Sequence, residues 1–177
     1  MILYYVDLVI VDQSLKNVVG VDLFSNLLIG GSSLERTLRT NLPTDLKLVR
    51  ITFDDIAVDK LSDESIYWTS NVTFLKPAIQ QLFLRKLKQS IYPIYFGTSR
   101  GCVYKGNGQG FMQFIDGNKN PSVLEICDEP NLKIVNDLFD YRNLISLKSH
   151  TRSFNELQQV GKKYRKKSTH KQKIIDE

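Results

Sequence analysis

The sequence predicts an α+β fold in which helices pack on a mostly antiparallel sheet, ferredoxin-like (of the kind RRM domains share) or a derivative of that arrangement. Three observations carry this prediction. Strand-like and helix-like stretches alternate loosely, the turns between them are too short for a parallel βαβ array throughout, and one amphipathic helix opened by Pro77 lies between two strand candidates. With 177 residues the chain can bury one substantial core, because domains usually run to about 100 to 150 residues. The expected organisation is a single domain over 1–152 and a basic helical tail over 153–177.

Taken in order, Ile2 to Val11 is dominated by Tyr, Val, Ile and Leu and suits a central, largely buried first strand. Between Val18 and Leu42 the pattern is mixed: Leu23, Phe24, Leu27 and Leu28 suggest a helical turn or two, the run Gly30 to Ser33 breaks it, and Leu34 to Thr40 fits a short helix capped by Ser32 or Ser33. After the turn at Pro43-Thr44-Asp45, Leu46 to Phe53 reads as a second strand, followed by an acidic loop from Asp54 to Glu64. Ile66 to Leu75 is a third strand. Ile79, Leu82, Phe83 and Leu87 then share one face of the helix that Pro77 opens.

Tyr92 to Phe96 reads as a short strand that runs into five of the ten glycines. Phe111 to Ile115 and Ser122 to Cys127 read as further strands around an Asp116 to Pro121 turn. Asn131 to Arg142 is a helix or a strand pair, and Leu144 to Leu147 a last short strand. Ser153 to Lys173 reads as a polar, basic helix with little apolar face, of the kind that often needs a partner.

Hydrophobic residues make up 42% of the chain and charged residues 24%, which excludes disorder of the whole chain. The formal charge of +5 resides entirely in Gly161 to Glu177, so the remaining residues are neutral in sum. They are not evenly so. From Ser65 to Ile115 there is no Asp or Glu, while Lys76, Arg85, Lys86, Lys88, Arg100 and Lys105 fall within the stretch, and an acid-free surface of that kind suits a polyanion. Cys102 and Cys127 lack the CxxC spacing of a zinc or redox site and fit a reducing cytoplasm. The apolar opening is broken at Asp7 and Asp12 and lacks a basic region, so no signal peptide is expected, and no run reaches the roughly 18 apolar residues of a membrane span.

The segment from Phe96 to Gly110 has the ingredients of a phosphate-binding loop. Gly97 and its neighbours let backbone N–H groups approach phosphate oxygens, Thr98 and Ser99 add hydroxyls, Arg100 and Lys105 add charge, and Tyr104 offers a face for a base. It is neither a Walker loop nor a dinucleotide fingerprint, and the alternative is a glycine-rich hairpin with incidental charge. Arg85, Lys86 and Lys88 on the helix, with Lys162, Lys163, Arg165, Lys166 and Lys167 in the tail, extend the expected RNA-binding set. The tail is alternatively a solvated helix or a docking peptide for another subunit.

Catalytic chemistry has thin support. His150 beside Arg152 is a weak candidate for a general base, with Lys148 or Arg152 steadying a transition state, but it lacks an evident second catalytic group. Asp54, Asp55 and Glu125 are the carboxylates a metal nuclease would use, yet the position two residues after Glu125 is Cys127 where a restriction-type nuclease places lysine. No metal or other cofactor is expected.

Asn71-Val-Thr-Phe-Leu-Lys-Pro77, the helix Ile79 to Gln89, and Tyr92-Pro-Ile-Tyr-Phe-Gly-Thr-Ser-Arg-Gly-Cys102 together resemble the CRISPR-associated RAMP superfamily. The likeness is to the Cascade-type subunit that caps the five-prime handle of the guide RNA. Pro93, Tyr95, Gly97 and Cys102 match its Pro-x-Tyr-Leu-Gly-Arg-x-x-Cys-like segment, with Phe96 and Thr98 in place of Leu and Arg, and Val123 to Pro130 is loosely similar to its closing strand. The resemblance implies a ferredoxin-like core that grips single-stranded guide RNA through loops, contacts neighbouring protein subunits of a ribonucleoprotein, and is a non-catalytic scaffold in most systems. Arg100 and Lys105 would then touch the handle's phosphates. Other functions the sequence leaves open are a small endoribonuclease acting on guide precursor through His150, and a virus- or plasmid-encoded structural or inhibitory protein that docks through its basic tail.

Overall fold

The computed structural model describes residues 1–56, 64–91, 93–117, 125–126 and 129–148. Strand β1 (Ile2–Val6) buries Leu3 and Tyr5 on one face and Val6 on the other, as its apolar run requires, and ends at Asp7 rather than continuing to Val11. A short helix that the sequence pattern did not suggest, α1 (Gln13–Val19), follows and stops at Gly20, whose φ of 68° is the left-handed conformation of a helix C-terminus. Next come a 3-10 turn at Phe24–Asn26, the hairpin strands β2 (Leu28–Ile29) and β3 (Ser32–Ser33), and α2 (Leu34–Thr40). Of the two candidate caps for α2, Ser33 is the one used: its hydroxyl accepts from the Arg36 N–H at 3.1 Å.

Strand β4 (Lys47–Ile51) runs parallel to β1, and β5 (Glu64–Thr69) lies parallel to β1 on its other side. The expected third strand is split. At Ser70-Asn71, both fully buried, the chain turns out of the main sheet into β6 (Val72–Phe74), which pairs antiparallel with β10 (Leu132–Ile134). Pro77 opens α3 (Pro77–Gln89) at its first turn, where a missing N–H costs nothing. Its core face is rotated relative to the expected one: Phe83, Leu84 and Leu87 are buried while Leu82 is 57% exposed. Buried Gln80 explains part of the shift, since its amide donates to the Leu38 and Asn41 carbonyls and ties α3 to the end of α2.

Strands β7 (Ile94–Thr98) and β8 (Gly101–Asn107) form an antiparallel hairpin, and β8 also pairs with β5. The glycine-rich stretch is therefore mostly strand, and Gly97 is the position where glycine is required: its φ is 106° and a Cβ there would lie 2.3 Å from the Gly101 carbonyl oxygen. Phe111 to Ile115 belongs to a helix, α4 (Gly108–Ile115), not a strand; Asn107 caps it by accepting from the Gly110 N–H at 2.7 Å, and Phe111 packs flat on Tyr67 with ring centroids 4.5 Å apart. Of the strand expected over Ser122 to Cys127, β9 (Glu125–Ile126) is described and pairs parallel with β7. Leu144 to Leu147 is likewise helical, within α5 (residues 138–148), which Asp137 starts by accepting from the Asp140 N–H at 2.8 Å. Leu138, Tyr141 and Leu144, one per turn, join the cluster that holds Leu15, Phe24 and Val135, a helical rather than a strand period.

The result is α+β with a mixed six-stranded sheet in the order β4-β1-β5-β8-β7-β9. One face carries Leu3, Tyr5, Ile66, Trp68 and Val103 against α2 and α3. The other carries Val6, Tyr67, Cys102 and Tyr104 against Phe111 of α4. A third apolar cluster, built from α1, the β2–β3 hairpin and α5, continues past the carboxyl end of β1. No helix among the described residues is long and apolar enough to cross a membrane. The expected tail over 153–177 lies outside the described residues.

Candidate functional site

The parallel strands β4, β1 and β5 end side by side, and a cavity of about 970 Å³ opens there. Such an edge gathers ligand sites in open sheets because the loops leaving neighbouring strands diverge and leave a crevice. Asp7 follows β1, Arg50 is the penultimate residue of β4, and Asn71 follows β5; Arg100 comes from the β7–β8 turn and Asn136 from the segment after β10. Leu8, Phe24, Ile51 and Phe53 supply apolar wall.

The polar groups are locked to one another. Asp7, with only 5% of its side chain exposed, uses Oδ2 to accept from Nε and Nη2 of Arg50 and from the Ser25 hydroxyl, the last at 3.1 Å. Arg50 also reaches Glu35 of α2 at 3.3 Å. Partial burial works against its charge, but the hydrogen bond and charge of Asp7 and the charge of Glu35 prevail and hold the guanidinium above its ordinary pKa. Burial, with help from Asp7 and Glu35, likewise pushes the nearby Tyr5 phenol well up. Asn71 donates its Nδ2 to the Arg100 carbonyl at 2.8 Å and to Asn136 Oδ1 at 3.0 Å, and these two acceptors determine which end of the amide is nitrogen. Among the described residues two buried side-chain atoms have no hydrogen-bond partner, Asp7 Oδ1 and Asn71 Oδ1, and both belong to residues that line the cavity.

The residues expected from sequence are dispersed. Thr98, Ser99 and Arg100 form the exposed hairpin tip, with Thr98 Oγ1 accepting from the Arg100 N–H at 3.2 Å. Gly97 shapes that turn. Tyr104 presents no face to a base: it is 2% exposed and packed beside Tyr67 and Phe111, and burial pushes its pKa up to about 12. Lys105 is also 2% exposed. Its ammonium donates to the carbonyls of Lys88, at 2.9 Å, and Ser90 at the end of α3, and lies 3.7 Å from Glu64. It is a helix C-terminal cap, favoured there by the helix dipole. The phosphate loop expected over 97–110 thus gives way to the hairpin alternative, with Arg100 its one exposed cation.

On α3, Arg85 and Lys86 are exposed, whereas Lys88 is paired with Asp45. Arg100 stands five residues along β8 from Lys105, about 17 Å at strand rise, so the α3 cations and the hairpin tip occupy opposite ends of the sheet. Much of the acid-free character from Ser65 to Ile115 reflects burial: residues 65–74 and 101–106 are inside. The exposed cations that remain there are Lys76, Arg85, Lys86 and Arg100.

Asp54 and Asp55 sit in a 3-10 turn at Phe53–Asp55 where Asp55 closes a capping box with Thr52, accepting from its N–H at 3.1 Å. Among the described residues no three His, Cys, Asp or Glu side chains are placed to hold a metal ion. Cys102 is buried and its thiol pushed far up by desolvation, which makes it a core residue rather than a nucleophile. Lys148 is partly buried, and desolvation lowers its pKa. His150, Arg152, Lys162, Lys163, Arg165, Lys166 and Lys167 lie outside the described residues. Sequence patterns do not reveal the cavity because its residues come from six separated segments; the one available signal is an Asp closing the apolar run of β1.

Comparison with protein families finds no match, and neither does comparison with curated proteins. Among solved structures, a nucleoside-diphosphate-sugar pyrophosphorylase from Vibrio cholerae is similar with a TM-score of 0.38 and 7% sequence identity, over 82% of this chain and 100% of that one. A likeness so weak identifies neither the fold nor the function.

Proposed function

We propose that the protein is a non-catalytic RNA-binding scaffold, a subunit of a guide-RNA ribonucleoprotein that holds single-stranded RNA by its phosphates. The observation that carries this is the set of exposed cations Lys76, Arg85, Lys86 and Arg100, none of which pairs with a carboxylate among the described residues, on a stretch that contains no acid. Thr98 and Ser99 add hydroxyl donors beside Arg100. In such assemblies base pairing reads sequence while protein supplies shape and charge, so a few dispersed cations suffice. The resemblance of residues 71–102 to the RAMP superfamily supports the choice of guide RNA. A ferredoxin-like derivative is the corresponding core: the parallel pair β1–β5, the antiparallel neighbour β8 and the packed helix α3 support it, and the parallel strand β4 is an addition to it.

The test is the salt dependence of RNA affinity. Each phosphate contact removed from a single strand lowers the slope of log K against log salt by about 0.7. The triple variant Arg85→Glu, Lys86→Glu, Arg100→Glu is expected to lose about two units of slope and to fold normally, since these side chains are exposed. Unchanged affinity and slope would refute the assignment. Purification with native neighbours and sequencing of co-purified RNA tests the guide: short RNAs sharing one repeat-derived end are expected, and nucleic-acid-free material would count against it.

A further inference from the structure

We infer that the cleft at the carboxyl ends of β4 and β1 receives an extended, basic segment of a partner protein, added as a short strand along Leu8 to Val11. Three features carry the inference: a length of backbone edge without a partner, exposed apolar side chains on that edge, and uncompensated carboxylates beside it.

The open edge follows from hydrogen-bond alternation, since backbone groups of successive residues in an extended chain point to opposite edges. Around the antiparallel bridge between Val9 and Leu23, the Phe24 N–H donates to the Leu8 carbonyl at 3.1 Å and the Ile10 N–H to the Asp22 carbonyl at 2.8 Å, so residues 8 and 10 spend these groups on one side. Asp7 points the other way, its N–H donating to the Ile51 carbonyl at 2.8 Å. Val9 therefore turns its N–H and carbonyl toward the line of β4. Among the described residues that line is vacant: β4 ends at Ile51, and Phe53 leaves it to stack on Phe111 of α4, with ring centroids 6.4 Å apart. Neither Val9 nor Val11 has a backbone hydrogen-bond partner among the described residues.

The lining selects the occupant. Val9, Val11 and Thr52 to Asp55 all border the cavity of about 970 Å³. Val9 is 58% and Val11 88% exposed, and with Leu23 and Phe53 they offer apolar surface to alternate side chains of an added strand. Natural sheets blunt or cover such an edge, and these valines do not blunt it. Of the charged groups in the lining, Asp7 and Arg50 neutralise one another, and Arg100 stands on the β5 side, where Asn71 donates to its carbonyl at 2.8 Å. Asp54 and Asp55 remain, both exposed; Asp55 gives one oxygen to the Thr52 N–H and hydroxyl and keeps its charge. Two carboxylates beside the vacant line disfavour a polyanion there and favour a strand that carries Lys or Arg.

The inference does not rest on RNA binding, and the assays separate the two. An octapeptide alternating lysine and valine is titrated against the full chain by fluorescence anisotropy, beside its counterpart with glutamate for lysine, and oligouridine is titrated separately. The lysine peptide is expected to bind at submillimolar concentration, at least about tenfold more tightly than the glutamate peptide. Asp54→Lys, at an exposed position, is expected to remove that preference. Carbon-13 carbonyls in the bound peptide are expected to show the infrared absorption of paired strand. No binding at millimolar concentration, equal binding of the two peptides, an unchanged preference in Asp54→Lys, or a disordered spectrum overturns the docking edge. Oligouridine binding decides the scaffold function whichever of these results is found. Carbodiimide cross-linking tests the other occupants: a link from Asp54 to the peptide is expected, whereas a link in the free chain from Asp54 or Asp55 to a lysine between Lys162 and Lys173, within one chain or between two copies, assigns the cleft to the chain's own basic tail and overturns the partner.

Discussion

Lys105 distinguishes a structural cation from an RNA-binding one. In Lys105→Met the apolar stem remains inside β8 while the ammonium disappears, so the Lys88 and Ser90 carbonyls at the end of α3 lose their donor. Hydrogen bonds to a charged group contribute about 1.5 to 3 kcal/mol each, so two at the low end amount to about 3 kcal/mol. The Glu64 pair adds little, because that carboxylate is 52% exposed. For a chain of this size 1 kcal/mol moves Tm by about 2 to 4 °C, so a fall of about 6 to 12 °C is expected by circular dichroism. RNA affinity, measured well below Tm, should be unchanged, whereas Arg100→Ala should do the reverse and weaken RNA binding without lowering Tm. If Lys105→Met melts within 2 °C of the parent and binds RNA more weakly, the capping argument is refuted and the ammonium reaches the ligand.

At the hairpin, Gly97→Ala would force a Cβ to 2.3 Å from the Gly101 carbonyl at a φ of 106°, so denaturant unfolding should show a loss of about 2 to 4 kcal/mol or failure to fold. Ser33→Ala removes the acceptor for the Arg36 N–H and should cost about 1 kcal/mol by the same measurement; a neutral result would mean that α2 is held by packing alone. The buried phenols make stability fall in alkali. An unfolded tyrosine ionises near pH 10, whereas burial raises Tyr104 to about 12 and Tyr5 further, so the unfolded state loses protons first and stability declines as pH rises from 10 to 12. Tyr104→Phe should reduce the slope by about 1.4 kcal/mol per pH unit in that window, and an unchanged slope would show that its hydroxyl reaches water.

How far pattern reading reaches depends on whether a signal is local. Ser33 before an acidic first turn and Pro77 before an apolar repeat are helix starts whose chemistry lies within a few residues, and α2 and α3 stand where they indicate. Phe111 to Ile115 and Leu144 to Leu147 fold as helix where the pattern suggests strand, because four or five mostly apolar residues suit either equally. Contacts from afar decide those cases: Tyr67 stacks on Phe111, and the β2–β3 hairpin and α1 receive Leu144. The acid-free stretch is ambiguous for a related reason. Absence of acid is as much a property of a buried strand as of an RNA-binding face, and β5, β6 and β8 are buried.

By itself, then, the sequence determined the α+β class, the starts of α2 and α3, the central buried first strand and the location of the chain's net charge, because composition, capping and period are interactions among neighbours. The tertiary structure alone decided that β4 and β5 flank β1 in parallel, that Lys105 caps α3 while Arg100 faces solvent, and that Asp7, Arg50, Asn71, Arg100 and Asn136 meet at one cavity. Those residues are separated by tens of positions. Only the closing of the sheet, driven by burial of two apolar faces, brings them into hydrogen-bonding range.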